Sequence, residues 1–133
     1  MRARIRALVP GRARGTAVVL PEPLSFWGGV DPRTGRVIDR RHPNAGTDLS
    51  GRILAMPSGR GSSSSSSVLA ECIRAGVAPA AIVLEEPDPI LVVGAVVAFE
   101  LYGRTIPIVV APPGTVADGR VVEVDGGSIR MVT

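Results

Sequence analysis

Arginines at positions 2, 4 and 6 alternate with Ala3, Ile5, Ala7 and Val9, the period-two pattern of a strand over Ala3–Val9 with one solvated face. The pair Pro10-Gly11 marks a turn, and Gly15–Leu20 is apolar enough to be a second strand. From Pro21 to Ser50 the periodicity disappears into prolines and glycines, so a long irregular segment is expected, of the kind that is functional or docked on something. Pattern returns at Gly51–Ala55, a short apolar strand. Val68, Leu69, Cys72 and Ile73 then recur at helical spacing and stop at Gly76. Ala80–Leu84 reads as a buried strand and Glu85–Pro89 as an acidic loop. Residues 90–102 fit either a helix or two short apolar pieces, because the run is Val-rich and carries Gly94. Ile106–Ala111 predicts a strand and Pro112–Gly119 a turn. Arg120–Asp125 and Ser128–Val132 form a hairpin through Gly126-Gly127. Strands alternating with helices and closed by a hairpin indicate a layered α/β or α+β fold.

Composition narrows the function. The 133 residues suit one domain over 1–133, and 45% hydrophobic with 20% charged residues excludes a disordered chain. Aromatics at 3% leave little on which bases could stack, so no nucleic-acid partner is expected. All 15 basic residues are arginines, and the net charge is only +3. The cluster Arg2, Arg4, Arg6, Arg12 and Arg14 fits either a phosphate-binding arm or a solvated strand face, and its alternation favours the face. One cysteine, Cys72, allows no internal disulfide and suits a cytoplasmic protein. With His42 as the one histidine, no closed metal site can come from this chain alone. Ile90–Phe99 falls short of the about 20 residues a bilayer requires, and no signal peptide is legible, so no membrane role is expected.

Candidate chemistry gathers at Gly59-Arg60-Gly61-Ser62-Ser63, which precedes the amphipathic helix. Glycines let backbone approach a ligand, a helix start offers unpaired N–H groups, and Arg60 can grip a carboxylate or phosphate. The Walker spacing and its lysine are absent. A serine linker, or Ser62 as a plain N-cap, is the bland alternative. The run Ser62–Ser67 lies inside a domain, between a strand and a helix, which favours an anion cradle. Within the run, Ser65, Ser66 and Ser67 are expected to tolerate alanine. No Ser-His-Asp triad is credible with the one His in a mobile-looking turn, so the chain has the character of half an active site. Phe26 and Trp27, set in an otherwise aromatic-poor chain, either pin their loop to the core or anchor an interface.

Ser25-Phe26-Trp27-Gly28-Gly29-Val30-Asp31-Pro32, with Thr34-Gly35 and Val37-Ile38-Asp39 behind it, resembles the signature of the aconitase X small subunit, or swivel domain. The likeness continues through the Gly59–Ser63 loop, Gly76–Val83 and Gly94–Ala98, and covers most of Gly15–Val110. It implies an α/β swivelling domain of layered β/β/α build that closes over a separate large subunit. The implied activity is that of a hydro-lyase acting on a small-molecule carboxylate: cis-3-hydroxy-L-proline in typical bacterial members, phosphomevalonate in archaeal ones. Iron, as a cluster or a mononuclear centre, belongs to the large subunit, and this chain would bind no cofactor alone. Ser62 is implied as the proton acceptor, with Arg60, Gly61 and Ser63 at the substrate. The chain departs from the Gly-Ser-Ser-Arg loop of the aconitases proper, because Ser64 stands where that loop has its substrate-binding arginine. Arg60 or a cation of the large subunit is expected in its place. The serine run, Glu86-Pro87-Asp88 and Glu100-Leu101-Tyr102-Gly103 favour the hydroxyproline branch, with a non-catalytic anion-binding or structural module as the alternative of a different class.

Overall fold

A computed structural model describes residues 2–133. The expected first strand is in fact two, β1 (Arg2–Arg4) and β2 (Arg6–Val9), divided at Ile5. They pair with opposite ends of one sheet of order β1-β8-β7-β3-β4-β5-β6-β2, whose other strands are β3 (Arg12–Val19), β4 (Ile53–Met56), β5 (Ala81–Leu84), β6 (Ile108–Val110), β7 (Val121–Asp125) and β8 (Ser128–Met131). Because one residue separates the two edge strands, the sheet curls until its edges meet. The long strand β3 joins the halves. Its Arg12–Thr16 run pairs antiparallel with β7, and Ala17–Val19 pairs parallel with β4.

Two helices, α1 (Ser65–Ala75) and α2 (Pro89–Tyr102), connect the parallel strands β4, β5 and β6. Alternate residues on these strands serve two cores. Ile53, Ala55, Ala81, Val83 and Val109 face Val122, Val124 and Ile129 across the curl. Leu54, Met56, Ile82, Leu84 and Ile108 pack under the helices with Leu69, Ile73, Leu91 and Ala95. The result is the layered β/β/α arrangement, and burial on both faces explains why β4 and β5 are continuously apolar.

Residues 90–102, ambiguous in sequence, are one helix. Asp88 caps it, its Oδ1 accepting the N–H groups of Ile90 (2.9 Å) and Leu91 (3.2 Å), with Pro89 in the first turn. The helical pattern is blurred because both sides are apolar: Leu91, Ala95 and Ala98 point inward, while Val93, Val96, Phe99 and Leu101 are exposed. Gly94 marks the contact with α1, where a Cβ would stand 2.7 Å from the Ser66 carbonyl oxygen.

The N-terminal arginines follow the solvated-face reading where their side chains are described. Arg12 sits opposite Asp125 and Arg14 opposite Glu123, with ion-pair distances of 3.5 and 3.4 Å. Arg130 of β8 also binds Glu123, and that hydrogen bond holds the Glu123 carboxyl below its usual range. Ala7 is exposed alongside Arg6, so the alternation does not hold through β2, which carries an irregularity between Ala7 and Val9. The side chains of Arg2 and Arg4 lie outside the described part.

The irregular segment 21–50 is ordered by local hydrogen bonds in place of ladders. Asp31, Asp39 and Asp48 each accept the backbone N–H two residues on, from Arg33, Arg41 and Ser50, all at 2.9 Å. Leu24, Phe26, Val30, Val37 and Leu49 reach into the helix-side core. His42 is not in a mobile turn. It is 5% exposed, its Nδ1 accepts the Asn44 N–H at 3.0 Å, and its Nε2 therefore carries the proton donated to the Glu22 carbonyl at 3.2 Å.

Cys72 is buried on the inner face of α1, and burial, aided by the carboxylates of Glu71 and Asp31, pushes its thiol up to about 12. It is therefore protonated at neutral pH and unreactive. A thiol-reactive dye is expected to label the native chain negligibly and the denatured chain fully, and fast native labelling would contradict this packing. The sign for stability follows. Below the ordinary thiol value of 9.0 the two states bind the same proton, and stability falls as pH rises from there toward about 12, because the unfolded chain ionises first.

Candidate active site

The loop of interest leaves the carboxyl end of β4 and enters α1, and the neighbouring loop from β5 to α2 lies beside it. Glu85 and Glu86 donate their N–H groups to the Pro57 carbonyl (3.1 and 3.2 Å), and Leu24 bridges to Gly59 from the irregular segment. Gly59 is required by this crowding. A Cβ there would lie 2.0 Å from Asp88 Oδ2.

Gly61 and Ser62 both adopt left-handed backbone conformations, at φ 53° and 69°. Among the described residues Ser62 is the one non-glycine with positive φ. A side chain in this region costs about 1–2 kcal/mol. Ser62 is not the N-cap. Ser64 occupies that position without a side-chain cap bond, and Ser62 Oγ accepts the Ser64 N–H at 3.3 Å. Gly61, Ser62 and Ser63 are exposed, and among the described residues no acceptor takes the N–H of Ser62 or Ser63. An exposed hydroxyl thus stands beside free N–H donors at the start of a helix, a polarity suited to an anion.

Arg60 points elsewhere on the same face. It lines an open depression of about 540 Å³ with Ser25, Trp27, Ile38, Arg40 and Arg41, a wall that does not include Gly61, Ser62 or Ser63. Arg40 and Arg41 were not legible as site residues, since in sequence they belong to the irregular segment. Trp27 is 59% exposed, whereas Phe26 is fully buried, so the pin to the core is Phe26 and not Trp27.

Ser65 corrects the expectation for the serine run. It is 3% exposed, and its Oγ accepts the Trp27 N–H at 3.0 Å, lies 3.2 Å from Ser25 Oγ and donates to the Gly61 carbonyl at 3.4 Å. Alanine there removes the acceptor of the part-buried Trp27 N–H, a loss of about 0.5–1.5 kcal/mol. The signal was the helical period itself, since Leu69, Cys72 and Ile73 lie four, seven and eight residues beyond Ser65 and so share its face. The docking of the Trp27 loop then supplies the partner for its hydroxyl.

Among the described residues no group of three His, Cys, Asp or Glu side chains could hold a metal ion. The donor chemistry agrees, since Cys72 is a buried thiol and both ring nitrogens of His42 are engaged. Neither side chain is a donor left open to iron. No helix among the described residues is long and apolar enough to cross a membrane.

Fold and loop together define a layered β/β/α domain that presents a strained serine and free N–H donors at the start of a helix. The family described as the aconitase X swivel domain matches residues 2–132, and the chain belongs to it. It is 60% identical over 103 residues, 77% of its length, to cis-3-hydroxy-L-proline dehydratase of Pseudomonas aeruginosa, but spans only 18% of that protein. To the phosphomevalonate dehydratase small subunit of Methanothermobacter thermautotrophicus it is 41% identical over 137 residues, covering 98% of this chain and 100% of the relative. The crystal structure of holo-form aconitase X from Thermococcus kodakaraensis superposes with a TM-score of 0.90 at 33% identity, covering 100% of this chain and 99% of that one.

Proposed function

We propose that the chain is the swivelling part of a hydro-lyase that removes water from a small carboxylate, cis-3-hydroxy-L-proline above all, in complex with a larger catalytic partner. The observation that carries this reading is Ser62, held at φ 69° with its hydroxyl exposed and the Ser62 and Ser63 N–H groups free beside it. In this role Ser62 Oγ takes the proton from the carbon next to the substrate carboxylate. Positive potential from the free N–H groups at the start of α1 favours the alkoxide that proton acceptance needs. Gly61 and Ser63 contribute backbone donors, and Arg60 supplies a cation for the carboxylate. The exposed apolar face of α2 supports a partner, because a contiguous apolar face on a soluble subunit is where another surface packs. In this reading the iron that the resemblance implies is held by that partner.

A second substrate, phosphomevalonate, is favoured by the full-length match to an archaeal small subunit. Reconstitution with the large chain decides between them. Turnover of cis-3-hydroxy-L-proline and none of phosphomevalonate is expected, and the reverse would select the second reading. Assembly without turnover of either would favour a non-catalytic module.

Arg60→Ala is expected to raise KM by about 10- to 100-fold with a much smaller effect on kcat, the loss of one charge-assisted hydrogen bond of about 1.5–3 kcal/mol. Steady-state kinetics of the complex check it, and an unchanged KM would remove Arg60 from the substrate.

A further inference from the structure

We infer that Ser65, assisted by Ser25, is the positioning residue that locks the Gly61–Ser62 peptide with the Ser62 N–H and hydroxyl facing outward. The inference deepens the reading of Ser62 as proton acceptor and rests on it. Its basis is the hydrogen-bond network beneath the loop. Ser65 Oγ has one proton and Ser25 Oγ has one, and the acceptors within reach are each other and the Gly61 carbonyl. Both hydroxyls can donate to the Gly61 carbonyl at once, and two further assignments link the serines to each other. Ser25 donates to Ser65 while Ser65 donates to Gly61 (3.4 Å), or Ser65 donates to Ser25 while Ser25 donates to Gly61 (3.5 Å). In every assignment at least one hydroxyl holds the Gly61 carbonyl inward. The Trp27 N–H, donating to Ser65 Oγ at 3.0 Å, occupies a lone pair in every case and fixes the rotamer.

A trans peptide sets its C=O and N–H in opposite directions, so holding the Gly61 carbonyl inward turns the Ser62 N–H outward. The anchor is needed because Ser62 is strained. Rotating the Gly61–Ser62 peptide by half a turn would carry φ of Ser62 from 69° into the negative region that side chains prefer. With Ser65 removed, only the long bond from Ser25 Oγ to the Gly61 carbonyl (3.5 Å) opposes that flip, which would turn the Ser62 N–H inward and take the donor away from beside the hydroxyl. Ser65 is buried and touches no substrate; it acts through Ser62.

The test uses the complex with the large chain and cis-3-hydroxy-L-proline as substrate. Ser65→Ala is expected to lower kcat by about 10²-fold, the scale of losing one oriented N–H donor where charge develops, with a smaller rise in KM. Ile129→Val, in the opposite layer, serves as a control for lost stability alone and should leave kcat unchanged. In a Ser62→Gly background, where the hydroxyl is absent and glycine has no strain to relieve, adding Ser65→Ala should lower the melting temperature but not kcat any further. Wild-type kcat in Ser65→Ala, or losses that multiply in the double variant, would overturn the positioning role. If Ser62→Gly itself turns over at the wild-type rate, it is the reading of Ser62 as base that falls, whatever Ser65→Ala does.

Discussion

Replacing Ser62 with glycine is expected to leave a stably folded chain whose complex turns over about 10²- to 10⁴-fold more slowly, the range by which a positioned base accelerates proton transfer. Glycine is the informative substitution because of the backbone. At φ 69° the serine side chain costs about 1–2 kcal/mol that glycine does not. The lost bond from Ser62 Oγ to the Ser64 N–H is worth about 0.5–1.5 kcal/mol in the opposite sense. The two nearly cancel, so any loss of turnover reports the hydroxyl and not the fold. Ser62→Ala keeps the strain, loses the bond, and is expected to be slightly less stable and equally slow. KM should change little in both, since the free N–H groups remain. Thermal melts and steady-state kinetics of the two variants provide the check, and near-normal turnover in Ser62→Gly would show that the proton goes elsewhere.

The neighbouring aromatics should behave as opposites. Phe26 is fully buried in the helix-side core, and Phe26→Ala is expected to destabilise the chain by about 3–5 kcal/mol through lost transfer energy and the cavity left behind. The damage would also reach the site, because Ser25 and Trp27 on either side of Phe26 hold the bonds to Ser65. Trp27, at 59% exposed, has little stability to lose, and Trp27→Ala should shift unfolding by no more than about 0.5 kcal/mol. Its effect should appear on assembly with the large chain, where an exposed aromatic beside Ile38 has the character of an anchor. Denaturant unfolding of the free chain, with titration of the large chain against each variant, separates the two. Equal destabilisation by both would mean that Trp27 also serves the core.

Local chemistry made much of this protein legible in its sequence. The apolar runs of β4 and β5, the spacing that ends α1 at Gly76, and the Gly126-Gly127 hairpin each depend on neighbours a few residues away. The same is true of the Gly59–Ser63 loop, whose glycines announce a backbone under constraint, and of the resemblance carried by Ser25–Pro32. What periodicity could not supply was the identity of distant neighbours. The chain divides at Ile5 because its two sides pair with β8 and β6, partners more than 100 residues away. Residues 90–102 form one helix because Asp88 caps it and Gly94 admits the backbone of α1, while apolar residues on both faces hide the helical period. His42 is held by Glu22, twenty residues earlier, so a turn-like sequence became a buried pin. Phe26 points inward and Trp27 outward through the packing of a loop without regular structure. Six serines are chemically identical, and only their spacing to Leu69, Cys72 and Ile73 sets Ser65 apart in sequence. The docking of that loop buries Ser65, and the close approach at Gly59 and the turn into α1 leave Ser62 exposed in a conformation it would not choose alone.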